Sequence, residues 1–361
     1  MTHGSLAYVS SYARPNPNAS EPSSQPGVHV LAVDGASGAL SVMQAMGSPN
    51  PTWIEPDPRN GMLWACYGPG RPRADCSIDA YRIAPDAGTL SGPDRTGIGP
   101  GSPAQLAVAP DGRFLVIANY GSGEFVVRRI DPGARLGEVT CAVRTQGSGP
   151  HPRQDGPHPH AVAFTPDGGY LVTADLGIDL IQVFRLDEHG VLHEVSRAAT
   201  TAGSGPRHVA FSFGARTLYV IGELDGTITA FAFNPDQGMI GERSQSIATA
   251  PADHAGSQSA AEIALHPTGR FLYASNRGSQ TIAAYRVDPH DGTLTILGFS
   301  HEGIAGPTNF AIAPDGQRLY VNSSEADRIV PFHIDAATGA LTADGPSTKL
   351  HAPNVLSFIP S

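Results

Sequence analysis

Five short stretches of this 361-residue chain carry the side chains that could do chemistry. His158 and His160 sit in Gly156-Pro-His-Pro-His160, and Arg207 and His208 in Gly205-Pro-Arg-His208. Glu223 follows Ile221-Gly222, Glu262 follows Ala261, and Arg277 follows Asn276. Arginine grips a carboxylate or phosphate through paired donors and steadies an oxyanion as it forms. A histidine or glutamate nearby can take a proton from water. Together these types suit chemistry on an anionic, carbonyl-bearing ligand. Each also has a plainer use. A histidine at the start of a strand can simply hydrogen-bond a loop, Glu223 can pair with Arg207 as a structural ion pair, and Glu262 can brace its surroundings. Asp111, Asp167 and Asp315 each stand between a proline and a glycine, which makes them turn residues. The His-x-His pair could ligate a metal, but no cysteine or acidic partner has the matching spacing, so no metal site is expected. No P-loop, Gly-x-Ser-x-Gly or His-Glu-x-x-His occurs, which leaves a serine-nucleophile hydrolase unsupported.

The elements that must position these residues come from a repeat. A unit recurs: an apolar alternating run, a Pro-Asp-Gly-type turn, a second apolar run, a polar loop, a third run ending in Asp, and a fourth run opening Gly-x-Leu. Phe310-Ala-Ile-Ala-Pro314-Asp-Gly, Arg328 to Asp335 and Gly339-Ala-Leu form one clear copy. The turn prolines fall at 58, 110, 166, 267, 314 and 360, with Phe213 in the place of the fifth blade's proline, giving spacings of 52, 56, 47, 54, 47 and 46. Four short strands per 40–50 residues or so is the pattern of a propeller blade. The chain opens with what reads as strands two to four of a blade, from Leu6, and closes with an isolated first strand, Asn354 to Pro360. The expected fold is therefore all-β: a single domain over 1–361, a seven-bladed β-propeller whose C-terminal strand joins the N-terminal blade and closes the ring, removing two sheet edges.

Alternating strand direction then sorts the loops. The start of strand one and the end of strand two share a face, and the Pro-Asp-Gly turns lie on the other. His160 and Arg207 stand at starts of strand one, beside Thr52, Ala104, Ala261, Thr308 and Asn354 in other blades. Asp175, Glu223, Asn276 and Arg277 stand at ends of strand two. The long stretches 12–26, 142–159 and 247–260 open on the same face, the default place for a site.

Composition agrees. Gly 42 and Pro 32 make 74 breakers, too many for long helices. At 40% hydrophobic the chain can bury a core. A net charge of −10 with 16% charged residues argues against nucleic-acid or membrane-surface partners. Three cysteines (66, 76 and 141) form no even-paired framework and are expected to be buried thiols. No basic leader and no long apolar span is visible, so a cytoplasmic location is expected.

Gly147-Ser-Gly-Pro-His-Pro-Arg-Gln-Asp-Gly-Pro-His-Pro-His160, with Pro166-Asp-Gly and Asp175-Leu-Gly-Ile-Asp179, closely resembles the seven-bladed lactonase family. So do Asn119-Tyr-Gly-Ser-Gly, Gly205-Pro-Arg-His, Glu223-Leu, Ala261-Glu-Ile and Ser275-Asn-Arg-Gly278. That family contains propeller-type 6-phosphogluconolactonases and carboxymuconate cyclases. The resemblance covers essentially the whole chain and implies lactone chemistry without a metal or organic cofactor. It places a catalytic group on His160, Arg207, Glu223 and Arg277, the residues that strand direction selects independently. Two positions depart from the family pattern. Thr308 in Pro307-Thr-Asn-Phe310 stands where an arginine is usual, and Cys66-Tyr-Gly68 replaces Asn-Glu. A missing cation weakens the case for a phosphorylated substrate.

The expected activity is hydrolysis of a sugar-acid lactone, either 6-phosphogluconolactone-like or an unphosphorylated aldono- or aldarolactone, by activated water. His158, His208, Glu262, Asn276 and Asp175 are expected to bind substrate around the catalytic four. The base is His160 or Glu223. Two other readings use the same chain: a lactonising carboxymuconate cycloisomerase, and a non-enzymatic scaffold binding a partner on one face. Oligomeric state is not legible.

Overall fold

The computed structural model describes residues 6–12, 27–48, 50–68 and 75–359. Pro360 and most of the stretch 12–26 lie outside the described residues. Seven sheets, each of four antiparallel strands in simple order, account for the regular structure. Blade 7 differs only in its outer edge, where Leu341–Ala343 and Thr348–Lys349 both pair with Arg328–Ile334. The innermost strands are Pro353–Phe358 in blade 1, then Pro51–Asp57, Pro103–Val108, Pro159–Phe164, Pro206–Phe211, Ala260–Leu265 and Pro307–Ile312 in blades 2 to 7. Each touches the next, and the last touches the first, so the ring is closed. Proline opens six of the seven, where its missing N–H is least costly.

Closure is made as the repeat implies. Pro353–Phe358 pairs antiparallel with Leu6–Ser11, placing Phe358 beside Ala7, Leu356 beside Val9 and Pro353 beside Ser11. At the far end of each strand one, the aspartate of the turn accepts from the backbone two residues on: Arg113 N to Asp111, Gly169 N to Asp167 and Gln317 N to Asp315. The glycine of these turns sits near φ +70°, for example +74° at Gly168, which a side chain would strain. Blade 5 lacks the proline and makes a single 3-10 turn at Phe213–Ala215 instead, leaving Phe213 81% exposed.

The core lies between blades rather than inside them. Tyr219, Ile221 and Ile228 of blade 5 pack on Ala260, Ile263 and Leu272 of blade 6 in one cluster, and comparable clusters join the other neighbours. The repeat also encodes a polar rivet. A buried tyrosine on strand two donates its hydroxyl to the glycine carbonyl of the next blade's outer turn: Tyr8 to Gly88, Tyr219 to Gly292, Tyr273 to Gly339 and Tyr320 to Gly38. The last of these crosses the closing seam.

One irregularity sets up the site. Every inner strand loses ladder register just after its first residue, between Pro51 and Trp53, Pro103 and Gln105, Pro159 and Ala161, Pro206 and His208, Ala260 and Ile263, Pro307 and Asn309, and at the matching place in Pro353–Phe358. A bulge leaves an unpaired residue and re-aims its side chain. The bulged positions include Thr52, Ala104, His160, Arg207, Thr308 and Asn354, and all six line one cavity at the channel mouth.

Candidate active site

The cavity has a volume of about 290 Å³. Register puts its residues on the face opposite the aspartate turns: Pro159 pairs with Asp175 and Pro206 with Gly222, so strand-one starts lie beside strand-two ends. His160, Arg207, Glu223 and Arg277 all line it, with His208, Arg153, Tyr120 and Trp53.

Glu223 is the hub. Its side chain is 4% exposed, and three arginines converge on it. Arg153 Nη1 is 2.5 Å from Oε1, Arg277 Nη2 is 3.0 Å from Oε1, and Arg207 Nε is 2.9 Å from Oε2. His160 Nε2 stands 3.9 Å from Oε2, beyond hydrogen-bond reach. Burial would raise the carboxyl, but the Arg277, Arg207 and Arg153 charges outweigh it and hold Glu223 far below the usual carboxylate range. It is therefore ionised and a poor base. Arg207 is 12% exposed and anchors its Nη1 on the Ala261 carbonyl at 2.9 Å. Arg277 leans on the Ser259 carbonyl through Nε. Among the described residues, no protein acceptor is assigned to Arg207 Nη2 or Arg277 Nη1.

His160 is held the opposite way. Burial, then the Arg207 charge and His208, push its imidazole well below the ordinary histidine value. It is neutral at pH 7, and its Nδ1 is buried with no hydrogen-bond partner among the described residues. His208 is also pushed down by burial, with Glu262 opposing. Its Nδ1 lies 3.0 Å from Glu262 Oε1, while Asn309 Nδ2 donates to Oε2 at 2.6 Å. Asn309 Oδ1 in turn accepts from the Leu356 backbone N–H. The closing strand thus braces His208 through blades 7 and 6. Rings pave the floor: Tyr120 meets His160 edge-on at 5.8 Å, His160 meets His208 at 5.2 Å, and His208 meets Trp53 at 5.4 Å.

Of the five residues expected to bind substrate, only His208 lines the cavity. Glu262 lies behind it as described. Asp175 accepts from Thr145 Oγ1 and from the N–H groups of His158 and Gly177, which uses its oxygens to fix the loop before strand one. Asn276 does the same in blade 6, accepting from Gly278 N and donating to Thr249 and Gln258. His158 stacks on Tyr120 at 4.3 Å and contacts Asp155 and the Tyr120 carbonyl. These three belong to the walls. The recurrence of Asn119, Asp175 and Asn276 at one repeat position was the signal for this, since a residue needed in several blades serves the blade.

Arg153 and Trp53 were not singled out as site residues from sequence. Arg153 comes from the long stretch 142–159, which is tied down by Gln154: its amide donates to the Leu176 carbonyl and Asp179. The charge is lopsided. Three guanidinium groups face one carboxylate in the cavity lining, and the Glu262 carboxylate behind His208 offsets a second, which leaves one net positive charge with both imidazoles neutral, in a chain of net charge −10. Blades 7, 1 and 2 contribute Thr308, Asn309, Asn354, Thr52 and Trp53, none charged. Thr308 is not idle: its hydroxyl donates to the Asn354 carbonyl, Asn354 Nδ2 to the Thr52 carbonyl, and Thr52 Oγ1 to the Pro103 carbonyl. These bonds stitch blades 7, 1, 2 and 3 around the mouth. Among the described residues, no group of three or more His, Cys, Asp or Glu could hold a metal ion.

Residues 6–358 match the family described as lactonase, 7-bladed beta-propeller. The chain is 31% identical over 272 residues to 6-phosphogluconolactonase of Bacillus subtilis (strain 168), covering 75% of this chain and 76% of that protein. It is 32% identical over 284 residues to 6-phosphogluconolactonase of Serratia proteamaculans (strain 568), covering 78% and 80%. Among solved structures, the periplasmic gluconolactonase of Pseudomonas aeruginosa superposes with a TM-score of 0.88 at 28% identity, covering 99% of each chain. With ring, closure and match running together from one end of the described chain to the other, this protein belongs to the seven-bladed β-propeller lactonase family.

Proposed function

We propose that the protein hydrolyses an anionic sugar-acid lactone, with 6-phosphogluconolactone the first named candidate, and that His160 is the base. One observation carries the reading: a neutral buried imidazole stands beside three arginines whose charge the nearby carboxylates Glu223 and Glu262 only partly cancel. With the proton on Nδ1, His160 Nε2 accepts one from water as the water oxygen bonds to the lactone carbonyl carbon. The charge that develops on the carbonyl oxygen meets the spare donors of Arg207 and Arg277. The ring C–O bond then breaks, and the imidazolium returns its proton to the leaving ring oxygen, giving a hydroxy acid. Glu223 is a positioning residue that spreads and orients the three arginines. The remaining positive charge receives the substrate's own anionic group.

A cavity of about 290 Å³ is at the small end of ligand sites, so it suits one ring rather than a polymer. Acid release in a pH-indicator assay, run over gluconolactone, galactarolactone and 6-phosphogluconolactone, tests the proposal. Turnover of an anionic lactone above the neutral one is the expected result. No turnover of any lactone, or faster cyclisation of carboxymuconate than hydrolysis of its lactone, overturns it.

A further inference from the structure

The charged arc of blades 4 to 6 accounts for a carbonyl and an anionic group, but not for the rest of a lactone ring. Across the mouth stands Trp53, the largest side chain lining the cavity and the only tryptophan there. It follows the bulged Thr52, and this one-residue bulge brings both side chains to the mouth. Its indole meets the His208 ring at 5.4 Å and 83°, spanning from blade 2 to blade 5 and flooring the cavity. Strand alternation returns Glu55 to the same side of Pro51–Asp57. The indole Nε1 donates to Glu55 Oε2 at 3.2 Å, which fixes the ring's rotation. Burial pushes the Glu55 carboxyl up to about 8, with the indole N–H opposing. Glu55 is half-buried on the strand that carries Trp53. The neighbour it touches is Trp53.

We infer that Trp53 is the specificity-determining residue of the neutral arc: its indole supplies the apolar surface for the unreacting C–H face of the lactone ring, and Glu55 is the positioning residue that holds it. The inference rests on the proposed lactonase reading and names how that site selects a ring. An aromatic plate is a rigid, apolar surface with a fixed geometry, suited to the C–H face of a polyhydroxylated ring. The neighbouring Thr52 and Asn354 hold backbone carbonyls of adjacent blades, so the plate rests on a fixed rim.

The test compares Trp53→Ala, Trp53→Phe, Glu55→Leu and Glu55→Gln with the wild type on gluconolactone and 6-phosphogluconolactone, and on δ-valerolactone, which has no hydroxyls. Trp53→Ala is expected to raise KM for the sugar lactones by about tenfold, with kcat within about threefold, and to raise KM for δ-valerolactone as well, since its C–H groups meet the same plate. Trp53→Phe should keep most of the affinity. Glu55→Leu should raise KM as well, and Glu55→Gln, whose amide oxygen still accepts the indole N–H, should restore it. A second readout needs no turnover. Of the two tryptophans, Trp64 is fully buried, so iodide quenching of the native protein reports Trp53. Gluconate or 6-phosphogluconate should protect it. An unchanged KM in Trp53→Ala, or quenching unaffected by saturating product acid, overturns the inference. A wild type that turns over no lactone defeats the lactonase reading instead, and leaves the quenching result to decide the role of Trp53.

Discussion

Replacing His160 by leucine separates the chemistry of the site from its architecture. The residue is 9% exposed, its Nδ1 is unpartnered among the described residues, and its Nε2 is too far from Glu223 to bond. A buried polar group without a partner costs roughly 1–3 kcal/mol. Leucine has similar volume and no polar atom, and a volume-conserving swap costs less than about 1.5 kcal/mol. The two terms nearly cancel, so the urea midpoint should stay where it is or rise slightly. The rate should behave otherwise. A general base contributes roughly a hundred- to ten-thousand-fold, or about 2.7–5.4 kcal/mol of barrier. Acid release against lactone concentration should therefore show kcat down by at least about a hundredfold with KM nearly unchanged. The pH profile supplies a second check. Because burial and Arg207 hold His160 well below the ordinary value of 6.5, the wild type should keep its rate as pH falls through 6.5 and lose it only further into acid. A leucine variant that retains its rate refutes the assignment. So does a rate limb centred at or above 6.5, or a loss of activity that merely follows a collapse of the midpoint.

Glu223→Gln should cost about 3–5 kcal/mol, since it strips the one carboxylate from three arginines, and added phosphate or 6-phosphogluconate should restore part of the thermal stability; a variant as stable as wild type would show that the clamp is not holding the mouth together. Thr308→Arg should improve the ratio of kcat/KM for 6-phosphogluconolactone over gluconolactone by roughly tenfold or more, at about 1 kcal/mol of stability from the lost bond to Asn354, and an unchanged ratio would mean that the missing arginine is irrelevant. His29 in blade 1 is buried, with its folded value lowered to about 4, so the unfolded chain takes up the proton first; stability should be full above about pH 6.5 and fall by at most about 3 kcal/mol as pH drops toward 4, and His29→Gln should flatten that slope in urea titrations across the range.

Much of this could be read before any coordinates. The spaced turn prolines and the divided first unit imply both the blade number and the closing strand. Strand direction alone brings His160, Arg207, Glu223 and Arg277 to one mouth. What could not be read is side-chain aim. A strict two-residue alternation would send Arg207 and His208 to opposite sides, yet the bulge after Pro206 lets both line the cavity. The same irregularity brings in Trp53. Asp175 and Asn276 sit where strand two ends, one residue from the cavity-lining register of Glu223 and Arg277, and their oxygens are taken by loop N–H groups. Arg153 belongs to no strand, so its reach depends on how Gln154 fastens the loop to Leu176 and Asp179.

The ring of bulges has a further consequence, for how such a mouth can change. A bulged residue takes no place in the ladder, and the cores between blades lie elsewhere. Substituting it therefore leaves the strand pairing and the apolar packing between blades in place, and gives up only the hydrogen bond it makes to the next blade. The mouth behaves as a dial with six settings, each read largely apart from the machinery that carries it. Arg207 and Thr308 show two settings of the same position: both donate to the backbone carbonyl of the following blade, and only one brings a charge. Moving an arginine from one setting to another would rotate the polar half of the cavity against the neutral half while leaving the wheel intact. Selectivity among small ring substrates can then drift by single substitutions, with little of the stability toll that core changes exact.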